Sequence, residues 1–280
     1  MDKRIVDFII KRALEEDKVD KDITSHFLFP KNKIVEAEIV AKDEGIIAGL
    51  DIAKRVFYLL DRKIRFKKLT SDGEKVKRGE QVALIRGDLK KILAGERTAL
   101  NFLMRLSGIA TLTRRFVERV YPYKVKIMDT RKTTPGLRIL EKYAIKVGGG
   151  FNHRMDLSEL VLIKDNHLKE IDFLDLQKRL EKIKRKKIEI EIEVKNIENF
   201  KKILSLKPDI VMLDNMRPEE VRRAVEIRNS LSKTKNPQLE VSGEINLKNV
   251  RTYASTGIER ISIGLLTHSY KSLDFSLEIL

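Results

Sequence analysis

Short apolar segments alternate with amphipathic ones through the C-terminal part of the chain. Apolar runs rich in Ile and Val occupy residues 125–129, 160–164, 188–194, 210–213, 239–242 and 260–264. Between them, apolar residues recur every three or four positions over residues 138–147, 169–182, 197–206, 218–231 and 247–255. Apolar strands that alternate with helices are typical of parallel sheets, whose two faces are both buried. The pattern predicts six β/α repeats, and by itself it fits either a doubly wound sheet or a barrel.

The N-terminal part of the chain has a different pattern, which predicts a mixed α/β unit. Helical periodicity covers residues 5–14 and 49–60, and strand patterns cover residues 35–41, 63–69 and 81–86. Two further helices are expected over residues 93–106 and 110–121, with Gly108 between them. The whole chain is therefore predicted to be an α/β protein with two kinds of unit.

Each of the six strands predicted in the C-terminal part ends in a polar or glycine-containing cluster. The clusters are residues 129–134, 164–167, 193, 214–215, 242–243 and 264–268. The carboxyl ends of the strands meet on one face of a β/α barrel, whereas in an open sheet they separate into two groups about a switch point. Because all six strand ends carry such groups, we expect a barrel with one pocket.

Single members of these clusters also have simpler explanations. An Asp or Ser after a strand commonly caps the next helix, and a glycine commonly serves a turn. Glu193 fits a solvated strand face, because the residues before it alternate Glu and Ile. Capping does not explain Arg131, Lys132, Arg154 and Lys164, since cations at buried strand ends need anionic partners. We therefore expect a pocket that binds several anionic groups.

Composition and charge exclude several classes of protein. The 280 residues carry a net charge of +16 and include no Cys, which excludes disulfide scaffolds, thiolate zinc sites and Cys nucleophiles. The densest basic run, residues 182–187, has no interleaved aromatic residues, so we interpret it as a solvated turn, with a polyanion patch as the alternative. No nucleic acid partner is expected. No signal peptide pattern or membrane-length apolar run is present, which predicts a cytoplasmic protein with no membrane partner.

The residue types narrow the chemistry of the expected pocket. Arginine offers bidentate geometry to carboxylates and phosphates. Glu193 and Asp214 suit a hydrated Mg²⁺ shared with substrate phosphates, or ribose hydroxyls, and the backbone at Ser242, Gly243 and Gly264 suits a phosphate. The sequence contains no P-loop, dinucleotide-binding, zinc-protease or nucleophile-elbow motif. The pocket is expected to act by positioning and electrostatics.

Three longer motifs resemble one known family. Residues 129–138 read Asp-Thr-Arg-Lys-Thr-Thr-Pro-Gly-Leu-Arg, residues 148–154 read Gly-Gly-Gly-Phe-Asn-His-Arg, and residues 162–167 read Leu-Ile-Lys-Asp-Asn-His. These strings resemble the signatures of the quinolinate phosphoribosyltransferases, also called nicotinate-nucleotide pyrophosphorylases (carboxylating). Segments 96–101, 106–111, 213–215, 242–243 and 262–268 are similar to the same family, so the resemblance covers nearly the whole chain.

The resemblance implies a fold and a reaction. The fold would be an N-terminal α/β sandwich over residues 1–108 and an open, irregular β/α barrel of the type II phosphoribosyltransferase kind over residues 109–268. Residues 269–280 would return to the N-terminal domain. The family forms homodimers or higher homo-oligomers with sites shared across the interface. Its Mg²⁺-dependent reaction, in NAD biosynthesis, converts quinolinate and phosphoribosyl pyrophosphate into nicotinate mononucleotide, pyrophosphate and CO₂.

The resemblance also implies a role for each site residue. The two quinolinate carboxylates would be held by Arg131, His153, Arg154 and Lys164, joined by Arg97 of the partner subunit. Lys132 would face the phosphoryl groups, and Glu193 and Asp214 would meet the ribose hydroxyls and Mg²⁺. Ser242, Gly243, Gly264 and His268 would surround the 5′-phosphate. The residues expected to be catalytic are Lys132, Lys164, Glu193 and Asp214.

Two departures and two alternatives stay open at this point. Asp156 and Glu244 stand where glycine is common in the family. Asp156 is near enough in sequence to pair with His153 or Arg154, and Glu244 would bring negative charge toward phosphate. A nicotinate phosphoribosyltransferase, or a molybdenum-transport-associated homologue, would share the phosphoribosyl residues, and the second-carboxylate clamp favours quinolinate over both. A polyanion- or RNA-binding protein without catalytic activity is the alternative from another class.

Overall fold

The structure is a computed structural model that describes residues 1–231 and 236–280. It is a mixed α/β protein, which confirms the predicted fold class. Its contacts define two compact units. The first unit comprises residues 1–114, 133–149 and 266–280, and the second comprises residues 115–132 and 150–265. Residue 108, the predicted boundary, lies inside a helix.

The first unit contains an antiparallel sheet of four strands. In chain order these are β1 (Ile34–Ala41), β3 (Arg65–Lys68), β5 (Gln81–Asp88) and β12 (Phe275–Ile279), and they lie in the order β12-β1-β5-β3. Two strands of two residues each, β2 (Gly45–Ile46) and β4 (Lys75–Val76), form a separate antiparallel pair. Strand β12 places the C-terminal segment against β1, with Ile39 opposite Leu277.

The first unit also contains helices, and one of them corrects a sequence prediction. The helices are α1 (Lys3–Glu16), α2 (Ile23–Leu28), α3 (Leu50–Leu60), α4 (Leu89–Val120), α5 (Arg138–Val147) and α11 (Leu265–His268). The prediction of two helices separated at Gly108 is wrong, because α4 runs through Gly108 without a break. A glycine is needed there because a Cβ would lie 2.9 Å from the Cα of Ser272. Gly108 therefore marks a close backbone approach within the first unit.

The second unit is built on a six-stranded parallel sheet. Its strands are β6 (Lys126–Met128), β7 (Val161–Ile163), β8 (Ile190–Val194), β9 (Ile210–Asp214), β10 (Gln238–Ser242) and β11 (Arg260–Ser262). They lie in the order β6-β11-β10-β9-β8-β7, and all five pairings are parallel. The connecting helices are α6 (Asp165–Lys169), α7 (Phe173–Arg185), α8 (Ile197–Leu204), α9 (Pro218–Leu231) and α10 (Val250–Ala254). Residue Phe151 bridges to Met128 beyond β6, so within the described chain the sheet ends at Phe151 and at β7.

Charged side chains lie on one face of this parallel sheet. Every residue of β8 is buried, including Glu191 and Glu193, so the interpretation of a solvated strand face is wrong. Since alternate residues of a strand share a face, Glu191 and Glu193 lie on one face of β8, and Glu240 and Ser242 on one face of β10. The strands carry polar groups in two layers, one at their carboxyl ends and one deeper.

The basic run and the helices bear on whether a nucleic acid or a membrane is a partner. The basic run 182–187 forms the last turn of α7 and the turn that follows it, and its lysines and arginine are exposed. Cations at a helix C-terminus complement the helix dipole. None of the helices in the described part of the chain combines the length and the apolar character needed to cross a bilayer.

Candidate active site

Ten of the twelve predicted site residues belong to the second unit, and most of them follow or end its strands. They are Arg131, Lys132, His153, Arg154, Lys164, Glu193, Asp214, Ser242, Gly243 and Gly264. The other two, Arg97 and His268, belong to the first unit. Arg97 is an exposed residue of α4, and the Nδ1 of the exposed His268 lies 2.7 Å from the Oγ of Ser269.

Two arginines lie close enough to influence each other's charge. Arg131 follows β6 and is exposed, whereas Arg154 is partly buried and donates from Nη1 to the carbonyl of Leu160 at 3.0 Å. Burial lowers the pKa of Arg154, and the positive charge of Arg131 lowers it further. Two like charges held together on a folded chain cost free energy that a bound anion recovers. The pair is therefore suited to a carboxylate or phosphate.

One carboxylate oxygen of Asp156 is bound within its own loop. Its Oδ1 accepts hydrogen bonds from the backbone N–H and the hydroxyl of Ser158, at 2.8 and 2.6 Å. The charge of Asp156 is a weaker influence on the pKa of Arg154 than burial or Arg131. Arg154 therefore keeps its hydrogen bond to the carbonyl of Leu160, although residue 156 is acidic.

Lys164 and Glu193 form an ion pair at the ends of β7 and β8. The Nζ of Lys164 lies 3.5 Å from the Oε2 of Glu193, and the lysine side chain is half exposed while that of Glu193 is 8% exposed. Burial raises the pKa of Glu193; Lys164 opposes this rise and the nearby carboxylate of Asp214 adds to it. The ammonium group of Lys164 thus compensates the charge of a buried carboxylate while half of the side chain stays exposed to solvent. An anionic ligand can contact Lys164 from the solvent side.

Asp214 and the Ser242-Gly243 turn are held together by backbone pairing. Asp214 lies opposite Ser242 in the register of β9 and β10, and Asn215 donates its backbone N–H to the carbonyl of Ser242 at 2.9 Å. The side-chain amide of Asn215 donates to the Oδ2 of Asp214 at 3.0 Å. Gly243 has φ +95°, and a Cβ on it would overlap the amide of Asn215. Only glycine adopts this φ without strain and has no Cβ to collide with Asn215. The backbone at Gly243 therefore lies in close contact with the side chain of Asn215.

Glu244 follows Gly243 in a left-handed conformation with φ +43° and is exposed. Its carbonyl oxygen accepts hydrogen bonds from the side-chain amides of Asn246 and Asn249, at 3.3 and 3.1 Å. These bonds fix the backbone of the turn where the family commonly has glycine.

His153 faces a deeper, buried layer of charge that the sequence patterns did not reveal. Its Nε2 lies 2.9 Å from the Oε2 of Glu191 and 3.5 Å from the Oε1 of Glu240, and both carboxylates are fully buried. The Nε of Arg260 lies 2.7 Å from the Oε2 of Glu240. Burial raises the pKa of Glu191 to about 7, and burial together with the charge of Glu191 raises the pKa of Glu240 to about 7.

The ligand atoms of His153, Glu191 and Glu240 lie within 4.8 Å of one another, a separation that a metal ion could bridge. Arg260 already supplies positive charge to Glu240, so the layer has its own counter-ion. The signal that could have identified this layer is the presence of Glu191, Glu240 and Arg260 inside otherwise apolar strands.

Comparison with known proteins gives the same result over almost the entire chain. Residues 22–107 match the family described as quinolinate phosphoribosyl transferase, N-terminal domain, and residues 109–278 match the description of its C-terminal domain. The probable nicotinate-nucleotide pyrophosphorylase [carboxylating] of Archaeoglobus fulgidus is 43% identical over 251 residues, which cover 89% of this chain and 95% of the relative. The corresponding protein of Bacillus subtilis is 41% identical over 265 residues, covering 94% of this chain and 90% of the relative.

Solved structures agree with the sequence relatives. The structure of the nicotinate-nucleotide pyrophosphorylase from Francisella tularensis superposes with a TM-score of 0.92 at 36% sequence identity, and the match covers 100% of this chain and 98% of the other. The resemblance found in the motifs is thereby confirmed, and the chain belongs to the quinolinate phosphoribosyl transferase family.

Proposed function

We propose that this chain transfers the phosphoribosyl group of phosphoribosyl pyrophosphate to quinolinate and releases pyrophosphate and CO₂. The product is nicotinate mononucleotide, and the reaction belongs to NAD biosynthesis. The observation that carries the assignment is the pair formed by Arg131 and Arg154 in a chain of this family. Quinolinate has two adjacent carboxylates, and two guanidinium groups match them in charge; a guanidinium group can also donate two parallel hydrogen bonds to a carboxylate.

The carboxylate-binding residues would be Arg131, Arg154 and Lys164. Arg154 presents five N–H donors, of which Leu160 takes one, so donors remain for a ligand. Lys164 is half exposed and provides a point charge that can meet the second carboxylate. Decarboxylation next to the pyridine nitrogen becomes favourable once that nitrogen is bonded to ribose, because its positive charge stabilises the electron pair that departing CO₂ leaves on the ring carbon, and a proton from water then adds to that carbon. The residues therefore act by holding the substrate ring, and no protein nucleophile is required.

Glu193 and Asp214 would stabilise the ribose as pyrophosphate departs. Departure leaves positive charge at the C1′ carbon and the ring oxygen, and a nearby carboxylate stabilises such charge most strongly where water is excluded. Glu193 is 7% exposed, so its charge is poorly screened. Lys132, which follows Arg131 after β6, would face the departing phosphoryl groups.

The same two carboxylates fit a shared Mg²⁺ ion. Glu193 and Asp214 lie at the carboxyl ends of adjacent parallel strands, and the charge of Asp214 adds to the rise in the pKa of Glu193 that burial causes. Two carboxylates alone do not fill an octahedral shell, which agrees with an ion completed by water and substrate phosphates. When bound, Mg²⁺ would supply charge stabilisation to the pyrophosphate oxygens.

The 5′-phosphate would lie at Ser242, Gly243 and Gly264. Gly243 exposes its backbone in a positive-φ turn, and such turns present N–H groups to anions.

We also propose a homodimer in which Arg97 of the partner subunit reaches the quinolinate carboxylates; the exposure of Arg97 on α4 supports this role. A cytoplasmic location stays a prediction of the sequence.

Substrate choice provides the first test. The purified protein is expected to release pyrophosphate and CO₂ with quinolinate, and to show no turnover with nicotinate. Turnover with nicotinate alone would contradict the assignment and favour the related nicotinate enzyme. Tight, salt-dependent binding of oligonucleotides without turnover would favour the polyanion-binding alternative.

Single substitutions provide the second test. Arg131→Ala and Lys164→Ala are each expected to lower kcat/KM for quinolinate by about 100-fold or more, since losing one charged partner in a desolvated site costs about 3 kcal/mol. Arg217→Ala is the matched control, because Arg217 is an exposed arginine on the same unit that pairs with Glu220. Near-normal rates in either site variant would contradict the carboxylate-binding role. A monomer with full activity would contradict the shared site at Arg97.

A further inference from the structure

The residue after Lys164 forms an ion pair of its own with the segment that follows β8. The Nζ of Lys195 lies 2.6 Å from the Oδ2 of Asp165 and donates a hydrogen bond to it. Lys164 pairs with Glu193, and Asp165 pairs with Lys195, so the first two residues after β7 are both joined to the carboxyl end of β8. The charges run in opposite senses in the two pairs. The family resemblance gave no role to Asp165 or Lys195.

Lys195 lies among the acidic groups at the carboxyl ends of the strands. It directly follows β8, two residues after Glu193, and alternate residues of an extended chain share a face. The hydrogen bond to Asp165 raises the pKa of Lys195, and the carboxylates of Asp214 and Glu193 add to this rise. Lys195 in turn holds the pKa of Asp165 below its usual range. Both members of the pair are therefore charged at neutral pH.

The turn that carries Lys164 receives little other support from its own elements. Strand β7 has three residues and lies at one end of the parallel sheet, where it pairs with β8 alone among the described strands. Helix α6, which follows the turn, has five residues, and none of them is buried. The pair between Asp165 and Lys195 thus ties the backbone next to Lys164 to the strand that β7 pairs with.

The same pair also limits a local competition for Lys164. Asp165 is the neighbour of Lys164 in the chain, and a carboxylate that lost Lys195 would attract the half-exposed ammonium group of Lys164. A lysine neutralised in this way would offer less charge to a ligand.

We propose that Asp165 and Lys195 are positioning residues: their ion pair holds the turn after β7 so that the ammonium group of Lys164 meets a carboxylate of the substrate. The proposal rests on the proposed function, since quinolinate is the ligand that Lys164 would bind.

The variant Asp165→Asn separates positioning from a direct contact between Lys195 and the substrate. It removes the ion pair and leaves the positive charge of Lys195, and its amide oxygen can still accept from the backbone N–H of Asn166, as the carboxylate does at 2.8 Å. Positioning predicts about fivefold weaker binding of quinolinate, near the upper end of what exposed ion pairs contribute. Unchanged or tighter binding would overturn the proposal.

Exchanging the two charges gives an independent result. Lys195→Glu alone places a second carboxylate beside Asp165 and should weaken quinolinate binding tenfold or more. Adding Asp165→Lys restores an ion pair of the opposite sense, and positioning predicts binding within about twofold of wild type. If Lys195 contacted the substrate itself, the double variant would stay as weak as Lys195→Glu, because residue 195 would still be negative. That result would overturn the proposal.

The single variant Asp165→Lys tests whether net charge alone explains such a recovery. It adds positive charge near the site but breaks the pair and places like charges side by side, so positioning predicts weaker binding of quinolinate than in wild type. Tighter binding would show that net charge sets the affinity, and it would overturn the proposal.

Controls keep the two proposals distinct. Binding is measured by calorimetry with quinolinate alone, without Mg²⁺ or phosphoribosyl pyrophosphate, after thermal unfolding has shown that each variant is folded. Glu278→Gln breaks an exposed ion pair of the same length, with Lys42 at 2.6 Å in the first unit, and it should leave the affinity unchanged. Failure of the wild-type protein to bind quinolinate would refute the proposed function. Normal binding by wild type and by Asp165→Asn would refute only the positioning role.

Discussion

Replacing Gly243 by alanine tests how the turn after β10 supports the site. Gly243 has φ +95°, a conformation that costs an L-residue roughly 1–2 kcal/mol. An added Cβ would also lie 2.9 Å from the Nδ2 of Asn215 and closer still to its carbonyl group, so the amide has to move. Moving it breaks the hydrogen bond to Asp214, and bonds to charged groups are worth about 1.5–3 kcal/mol.

Gly79→Ala is a matched control for the cost of placing alanine at a positive φ, without any steric clash. Gly79 has φ +86°, and a Cβ there would meet nothing within 4 Å. We therefore expect Gly79→Ala to lower the free energy of unfolding by about 1 kcal/mol. Gly243→Ala should lower it by about 3 kcal/mol, since the strain and the lost hydrogen bond add. Urea unfolding at neutral pH measures both values.

The KM values of the Gly243→Ala variant distinguish an effect on the site from a general loss of stability. Displacing Asn215 loosens Asp214, so we expect Gly243→Ala to raise KM for phosphoribosyl pyrophosphate about tenfold, equivalent to 1.4 kcal/mol. The KM for quinolinate should change little, because Arg131 and Arg154 follow other elements. Equal destabilisation by the two alanines, with unchanged KM for the phosphoribosyl donor, would refute the reasoning about Asn215.

Two further predictions concern the first unit. Gly108→Ala should destabilise the protein by about 2 kcal/mol in urea unfolding, because the close approach to Lys271 and Ser272 outweighs the better helix propensity of alanine; greater stability would show that this approach relaxes easily. Arg55 binds Asp7 through two hydrogen bonds of 2.6 Å and holds the pKa of that carboxyl below its usual range. The stabilisation is present above pH ~4 and lost as pH falls through the lowered pKa, so Asp7→Asn should cost about 1 kcal/mol at pH 7. The difference from wild type should vanish in acid, and a difference that persists there would contradict this ion-pair origin.

The sequence predicted the strands and their polar ends well because both signals are local. Short apolar runs bounded by polar residues indicate buried strands. Asp214 is the last residue of β9 and Ser242 the last residue of β10, as expected. The helices over residues 138–147 and 218–231 were predicted with the bounds that α5 and α9 have. The roles of the site residues came from the resemblance in the motifs, and they stay predictions.

The deeper charged layer could not be predicted, because it depends on register between strands far apart in sequence. A glutamate alternating with isoleucine looks the same whether its face meets water or a buried arginine, and only the pairing of β10 with β11 brings Glu240 to Arg260. The unbroken helix α4 was missed for a similar reason. Gly108 resembles a helix break in sequence, and its actual cause is the approach of residues 271–272.

Strand β12 has a consequence for the order in which the protein can fold during synthesis. The ribosome makes β1 and β5 early, but β12, which pairs with the free edge of β1, emerges only after all the strands of the second unit. The edge of β1 therefore stays open until the last strand of the sequence has been made. Open edges invite pairing with other chains. A released chain that ends before residue 275 should therefore be prone to aggregate through β1, although all six strands of the second unit are present.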